Sequence, residues 1–556
     1  MHNRIMDGWR RGVGRRSFWM LAALIGLLGA RWAAAAPSPA RQLGGLFAPS
    51  LAQSAYVKAS NTGAGDEFGY SVAIDGTTMA VGAPREDSAS AGNQGDNSIT
   101  DAGAVYVYER GPGGWAQQAY LKAAVPRSSA AWAGWGGFGW SVALDGDTLV
   151  VGASGDSASG AAYVFVRTYV QGAPVWKQQA RLTPFNGDDG DSFGWDVAID
   201  GDTIVVGAHE ENGGAAGVNG NPTYNNISRA GAAYVFVRSA GVWTHHSYLK
   251  ASNPGMHDLF GSSVAIDGDT IVVGAQNESS AATGVNGNQN DDSAPVSGAA
   301  YVFVRNQGAW SQQAYLKSGV SSFNQYFGYS DIDGDTIVVG ALKRSKAYVF
   351  ERTGSTWALQ GQISGANTEE SDVFGWTVSL SGDTLVIGAS FESSAATGVD
   401  GNGADNSALN SGAAYVFQRG EAGWSQRHYI KASNSQAGDQ FGFTVAVSGP
   451  NIVIGANQEA SAASGSNGNQ ADNSAASAGA VYAFDLSAAT PVTPTATATP
   501  VTPTATAPTG TPATPTTTAC VPPATTTPVT PTATMPTATH ASTASQKRLY
   551  LPRLLR

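Results

Sequence analysis

Short apolar runs separated by tight polar turns recur along residues 51–486. Around residue 260, an apolar run at 260–266 is joined by Asp267-Gly268-Asp269 to a second run at 270–275. Asp-Gly supplies the positive φ angles that a two-residue hairpin turn requires, so the two runs predict a β-hairpin. Two further runs follow at 298–305 and 310–317. Each unit is therefore predicted to be a four-stranded antiparallel meander.

The Phe-Gly pair that opens this unit occurs seven times. Its spacing of 47 to 70 residues is typical of propellers and solenoids. The second and third strands are apolar at successive positions, as in Ile271-Val272-Val273, so both faces of each small sheet should be covered. Blades packed around an axis have this property. The pairs begin at residues 68, 138, 193, 260, 327, 374 and 441.

The two ends of the array distinguish a closed propeller from an open solenoid. Copy seven stops after its third strand at 480–485, whereas residues 53–60 resemble the fourth strand of the other copies. An N-terminal strand that completes the last blade closes the ring and removes exposed sheet edges, while a solenoid needs capped ends. We therefore predict an all-β, seven-bladed β-propeller of four-stranded antiparallel blades over 51–486. The six other fourth strands contain Trp115, Trp176, Trp243, Trp310, Trp357 and Trp424.

The segments outside the array differ in composition. Residues 1–36 combine a basic start, eleven apolar residues and small residues before a cleavage position, which predicts an export signal; Arg15-Arg16 resembles a twin-arginine signal. Residues 37–50 are a linker, and the Thr/Pro-rich residues 487–544 predict a disordered stalk. The basic and apolar tail at 545–556 is either a signal for cell-envelope attachment or a disordered cationic end. No integral membrane span is predicted in the mature chain.

Charge and side-chain chemistry narrow the function classes. Residues 51–486 carry 20 Lys and Arg against 41 Asp and Glu, a balance that repels nucleic acid and attracts cations or basic partners. The single cysteine, Cys520, excludes an internal disulfide. The seven histidines do not cluster with a repeated nucleophile, and no separate catalytic domain fits between the predicted segments. We therefore predict that the protein is not an enzyme.

The repeated Phe-Gly followed by Gly-Ala resembles the FG-GAP repeat, and seven copies resemble the N-terminal β-propeller of integrin α subunits. Only Gly82-Ala83-Pro84 spells out the full motif, and elsewhere the third position varies, as in Gly152-Ala153-Ser154. In that family several blades carry a calcium loop of the Asp-x-Asp-x-Asp-Gly type between the first two strands. Here this connection is as short as Asp145-Gly146-Asp147, so those family sites cannot be transferred.

Five of the seven copies share a different set of acidic residues. Copies one, three, four, six and seven have an Asp two residues before the Phe, a Glu three residues after the Gly-Ala alanine, and a long Asn/Asp/Gly/Ser loop; copies two and five lack all three. These oxygen ligands suit Ca²⁺, although the acids could instead cap turns by accepting backbone N–H bonds. The candidate calcium ligands are Asp66, Glu86, Asp96, Asp191, Glu211, Asp258, Glu278, Asp291, Asp372, Glu392, Asp405, Asp439, Glu459 and Asp472.

Together these features favour an exported, extracellular or cell-surface protein that presents propeller loops to a protein or glycan ligand, with Ca²⁺ as its candidate cofactor. A structural surface-layer protein that self-associates is the alternative, and a secreted hydrolase with its site in the central depression is a third. Copy five departs from the others because residues 329–333 are one residue short and its loop carries Lys343, Arg344 and Lys346. Such a deletion would turn side chains to the opposite face unless a bulge absorbs it.

Overall fold

A computed structural model describes residues 50–129 and 136–487, which form seven four-stranded antiparallel sheets arranged as the blades of a propeller. Blades one to three contain β2 (Ser71–Asp75), β3 (Thr78–Ala83), β4 (Ala104–Gly111), β5 (Gly114–Leu121); β6 (Ser141–Asp145), β7 (Thr148–Ala153), β8 (Ala161–Val170), β9 (Ala173–Leu182); and β10 (Phe193–Asp200), β11 (Thr203–Ala208), β12 (Ala232–Ser239), β13 (Val242–Leu249). Blades four and five contain β14 (Phe260–Asp267), β15 (Thr270–Ala275), β16 (Ala299–Asn306), β17 (Ala309–Leu316); and β18 (Phe327–Asp333), β19 (Thr336–Ala341), β20 (Lys346–Thr353), β21 (Thr356–Ile363). Blades six and seven contain β22 (Val378–Ser381), β23 (Thr384–Ala389), β24 (Ala413–Gly420), β25 (Gly423–Ile430); and β26 (Thr444–Ser448), β27 (Asn451–Ala456), β28 (Ala480–Ser487) with the N-terminal β1 (Ser50–Val57). Short 3-10 turns occur at Leu342–Arg344 and at Glu370–Asp372.

The ring closes as the sequence predicts. β1 pairs antiparallel with β28, placing Tyr56 opposite Tyr482 and Val57 opposite Val481. The two ends of the array are thereby joined in one sheet, so the last blade has four strands like the others. The predicted signal, residues 37–49 of the linker, residues 488–544 of the stalk and the C-terminal tail lie outside the described residues, whereas Ser50 begins β1 and Ser487 ends β28.

The core consists of apolar layers between neighbouring blades. Val205 of blade three and Ile271 of blade four belong to one buried cluster. The Phe of each Phe-Gly pair contributes to such a layer. Phe260 packs edge-on against Tyr301, with ring centroids 5.4 Å apart. Burial on both sheet faces explains why second and third strands are continuously apolar.

The hairpin turn between the first and second strands of each blade is hydrogen-bonded to the preceding blade. Together these turns form a ring of hydrogen bonds that links the blades. In blade four, the Gly268 amide N–H donates to Asp200 Oδ2 of blade three at 2.8 Å. The Asp that ends each first strand, or its Ser equivalent, thus accepts from the next blade, so the Asp-Gly sequence serves both the hairpin and the blade interface. The remaining pairs are Gly76–Ser448, Gly146–Asp75, Gly201–Asp145, Gly334–Asp267, Gly382–Asp333 and Gly449–Ser381.

Copy five forms a complete blade despite its missing residue. In blade four the register shifts between Phe260 and Ser263, whereas in blade five it shifts between Phe327 and Tyr329. The bulge after the Phe is therefore one residue shorter, and the rest of β18 pairs with β19 without a flip of its faces.

Candidate functional site

One face of the propeller carries the Phe-Gly pairs together with the connections between second and third strands. Each first strand starts on this face and each second strand ends there, because a tight hairpin joins them on the opposite face. We call this side the long-loop face. Its long loops span residues 84–103, 209–231, 276–298, 390–412 and 457–479, and its short loops span 154–160 and 342–345.

The five glutamates predicted as calcium ligands are buried beneath the long loops, each in an ion pair with a lysine. In blade four, Glu278 Oε2 accepts a hydrogen bond from Lys317 Nζ at 2.8 Å, and Oε1 accepts one from the Tyr315 hydroxyl at 2.9 Å. Both charged side chains are 1 % exposed. The chain itself therefore supplies the positive charge beside each glutamate. The equivalent pairs are Lys122–Glu86, Lys250–Glu211, Lys431–Glu392 and Lys58–Glu459, at 2.7 to 2.8 Å.

These lysines were missed in the sequence, although a signal for them is present. A lysine follows the fourth strand in the same five copies that carry the glutamate, while copies two and five have Thr183 and Ser364 at that position. Burial lowers the pKa of all five lysines, and the partner glutamate opposes this shift. Comparing which residues are absent together would have identified the pairs.

The five aspartates before the Phe-Gly pairs lie close to these glutamates and accept backbone hydrogen bonds. Asp258 Oδ2 accepts the Gly255 amide N–H at 2.7 Å. Burial raises the pKa of Asp258 to about 7, although the Gly255 bond acts in the other direction. Asp66, Asp191, Asp372 and Asp439 make the same contact with a backbone amide three residues earlier, at 2.7 to 2.9 Å.

The predicted ligands in the loops stand apart from these buried pairs. Asp291, Asp405 and Asp472 each accept the backbone amide two residues later, at 3.0 to 3.1 Å, and the Asp96 carbonyl accepts the Ala89 amide at 2.9 Å. Within residues 50–129 and 136–487, no group of three or more His, Cys, Asp or Glu side chains is placed to hold a metal ion. Calcium binding stays a prediction.

A set of six aromatic side chains, which we call the aromatic ring, is arranged around the axis on the long-loop face. The residue after the Phe-Gly pair is aromatic in six blades, and these side chains contact one another with centroid distances of 4.5 to 6.2 Å. Blade four interrupts the series with Ser262. Trp195 of blade three instead contacts His209 in a tilted arrangement, with ring centroids 4.0 Å apart. The members of the aromatic ring, in order around the axis, are Trp195, Trp140, Tyr70, Phe443, Trp376 and Tyr329.

The aromatic ring borders an axial cavity of about 420 Å³ that is lined below by the first strands. Two carboxyl groups, Asp196 and Asp331, also line it, and burial raises the pKa of each to about 6. Their Oδ2 atoms accept the Val264 and Leu380 amides of the next blade, each at 2.8 Å. Both acids therefore satisfy backbone N–H groups at the inner edge of the sheets, which is a structural task.

His209 gives this region a measurable pH response. Burial, followed by the nearby positive charge of Arg229, lowers the pKa of His209 from 6.5 to about 3. Because this folded-state pKa is depressed, the neutral imidazole stabilises the fold above pH 6.5, and that contribution is lost as the pH falls from 6.5 towards 3. His209→Phe keeps an aromatic contact with Trp195 but cannot take up a proton.

As the pH falls from about 6.5 to about 4.5, we expect the unfolding free energy of this variant to rise by about 2–3 kcal/mol relative to that of the unmodified protein. Denaturant unfolding of both proteins at the two pH values measures the difference. An equal change in both proteins would contradict a buried neutral His209.

A seven-bladed β-propeller with a loop-bearing face and a central aromatic ring is the architecture that these residues define. The FG-GAP repeat family matches six segments, which together cover more than half of the sequence: residues 52–108, 115–165, 176–236, 243–303, 357–417 and 424–484. The chain belongs to the FG-GAP repeat family. Residues 304–356, between the fourth and fifth matched segments, contain β17 of blade four and β18 to β20 of the shortened copy five.

Comparison with solved structures gives distant likenesses. The crystal structure of Saccharomyces cerevisiae Sqt1 is 8 % identical, with a TM-score of 0.38 over 73 % of this chain and 84 % of that chain. The crystal structure of the computationally designed Ika8 protein is 9 % identical, with a TM-score of 0.38 over 78 % of this chain and 99 % of that one. No curated protein matches the sequence.

Proposed function

We propose that this protein is an extracellular or surface-bound receptor that docks a protein ligand on the aromatic ring, and that the ligand inserts a basic side chain there. The observation that carries the proposal is the contiguous set of six aromatic side chains at the centre of the long-loop face. Interface hot spots are enriched in Trp and Tyr, so such a cluster suits protein recognition.

The charge of the propeller favours a basic ligand. Its excess of 21 acidic residues creates a negative field that attracts and orients cations. The faces of Trp, Tyr and Phe rings attract a guanidinium or ammonium group, and the six aromatic side chains line the axial cavity together. A neutral glycan would gain nothing from this field, and we therefore favour a protein.

The proposed location agrees with the family and with the chain ends. FG-GAP repeats are typical of extracellular or surface proteins, and residues 1–36 have the pattern of an export signal. Among residues 50–129 and 136–487, the structure contains no helix that is long and apolar enough to span a membrane. Attachment through the C-terminal tail is part of the same proposal.

The experiment titrates the protein with a short arginine-containing peptide and with the same peptide carrying glutamate instead. We expect the arginine peptide alone to change tryptophan fluorescence, and Trp376→Ala to weaken its binding about tenfold through loss of a cation–π contact. Tyr169→Ala is the matched control, because Tyr169 is 61 % exposed at the far end of β8 on the opposite face. Equal binding to both peptides, or unchanged affinity in Trp376→Ala, would reject this docking site.

Each titration is run with a chelator and again with added Ca²⁺. The calcium prediction requires a higher melting temperature or tighter peptide binding in the second series. Identical results in both series would remove calcium from the proposal and leave the aromatic ring unaffected.

A further inference from the structure

Four blades contain the same cluster of a lysine, a glutamate, an asparagine and a tyrosine. In blade four, Asn253 Nδ2 donates to Glu278 Oε1 at 3.1 Å, while Lys317 Nζ donates to the other oxygen of that carboxylate. The Tyr301 hydroxyl donates to Asn253 Oδ1 at 2.7 Å. The equivalent clusters are Lys122, Glu86, Asn61 and Tyr106 in blade one; Lys431, Glu392, Asn367 and Tyr415 in blade six; and Lys58, Glu459, Asn434 and Tyr482 in blade seven.

The chemistry of each cluster is that of an amide-forming site. A lysine amine is a nucleophile, an asparagine carboxamide is an electrophile, and one carboxylate contacts both groups and can carry protons between them. A hydroxyl that already donates to the carboxamide oxygen is placed to stabilise negative charge as it develops there. The lysine and glutamate are at most 2 % exposed in all four blades, so water is kept from the amine and the carboxylate, whereas each asparagine is partly exposed.

We propose that each of these four clusters forms an intramolecular isopeptide bond between its lysine and its asparagine. In blade four, Glu278 accepts a proton from the Lys317 ammonium, and the free amine attacks Asn253 Cγ while Tyr301 donates to the resulting oxyanion. Glu278 then returns the proton to Asn253 Nδ2. The Cγ–Nδ2 bond breaks, and the departing ammonia takes the second Nζ proton and leaves as ammonium. A Cγ–Nζ amide thus replaces the carboxamide, and the reaction needs neither an oxidant nor a reductant.

The long loop and the aspartate of each copy hold the asparagine in place. Asn253 Nδ2 also donates to the Gln289 carbonyl of the long loop at 3.0 Å, and Asp258 holds the turn at Gly255, two residues after Asn253. The aspartate, glutamate and long loop that occur together in the sequence thus meet at one cluster. Copy five, which has Val320 at the asparagine position and Ser364 at the lysine position, lacks the whole set.

Blade three has the ion pair between lysine and glutamate without the hydrogen bond between asparagine and glutamate. Lys250 and Glu211 pair at 2.7 Å, but Asn186 Nδ2 makes no hydrogen bond to the glutamate or to any other described residue. A buried ion pair therefore forms in this fold without the asparagine contact. The contact in the other four blades is an additional feature, and we restrict the proposal to them.

The bond in blade seven would close the propeller covalently. Lys58 directly follows β1, and Asn434 lies between β25 and β26, so an amide between them would join the N-terminal strand to the segment that enters the last blade. A cross-link between residues far apart in sequence restricts the unfolded chain and slows opening of the ring. This inference is independent of the proposed ligand.

The test is peptide mapping of the unmodified full chain by mass spectrometry after digestion with trypsin. We expect no cleavage after Lys58, and a branched peptide that joins it to the Asn434 peptide and weighs less than the sum of the two by one ammonia. Glu459→Gln keeps a hydrogen-bonding side chain but cannot shuttle the proton, and it should release the two peptides while the bonds at Lys122, Lys317 and Lys431 remain. Those three bonds report that the variant is folded.

Normal cleavage after all four lysines, with each asparagine peptide at its sequence mass, would overturn the proposal. A branched peptide joined at Glu459 with loss of water would also overturn it, because glutamate would then be the electrophile. Retention of the Lys58–Asn434 bond in Glu459→Gln would exclude the proposed proton carrier. Asn434→Asp offers a second variant, in which the same amide forms with loss of water.

Discussion

Replacing Gly298 with alanine is expected to destabilise the propeller by more than about 4 kcal/mol. The new Cβ would lie 2.0 Å from the Phe327 carbonyl oxygen and 2.5 Å from the Phe327 nitrogen, both in the backbone of the next blade. Neither atom can move unless blades four and five separate, and their shared apolar layer would open with them. Gly298 also has a φ of +80°, which adds the cost of a left-handed alanine.

Gly308→Ala is the matched control for this substitution. Gly308 has a φ of +81°, but no atom lies within 4 Å of its added Cβ, because it sits at the exposed turn between β16 and β17. The Gly308→Ala variant should therefore lose about 1–2 kcal/mol of stability, which is the cost of the left-handed backbone alone. Denaturant unfolding monitored by circular dichroism compares the two variants. Equal losses would show that backbone conformation, and not contact between blades, explains the glycine.

Lys250→Met is expected to cost about 3–5 kcal/mol, because it leaves Glu211 buried without its counter-charge. The Glu211 side chain is 1 % exposed and keeps only the Tyr248 hydroxyl and the Gly213 amide as donors. Methionine fills a volume similar to that of the lysine stem, so loss of packing contributes little. Blade three is chosen because its ion pair lies outside the four proposed cross-links.

The double variant Lys250→Met, Glu211→Gln separates charge from packing. The neutral amide can still accept the Tyr248 hydroxyl and no longer needs a cation, so most of the lost stability should return. Melting temperatures and unfolding free energies of the single and double variants provide the measurement. A double variant as unstable as Lys250→Met would show that the buried charge is not the cause.

The architecture could be predicted because it rests on repetition and on local rules. The Asp-Gly turns, the continuously apolar second and third strands and the displaced strand near Tyr56 all depend on short stretches of chain, and the structure confirms each of them. The membership in the FG-GAP repeat family is likewise carried by residues adjacent in sequence. Even the deletion in copy five could be foreseen as a change in a bulge.

The site was predicted only in part because its residues come from different strands. The five glutamates and aspartates were found by their co-occurrence, but the sequence did not reveal that Lys317 and Asn253 contact Glu278 from the end of β17 and from the segment before β14. The aromatic ring was also missed. Tyr70 and Phe443 are 373 residues apart and become neighbours only because the ring closes.

The sequence by itself therefore determined that this protein is a closed array of seven similar blades, since hydrophobic pattern and turn chemistry act over a few residues. The tertiary structure decided which side chains contact the glutamates of the five acidic copies. The partners of a buried carboxylate come from the strands that the fold packs around it. Glu459 shows this most clearly. Its ion-pair partner Lys58 lies 401 residues away and reaches it only when the first strand completes the last blade.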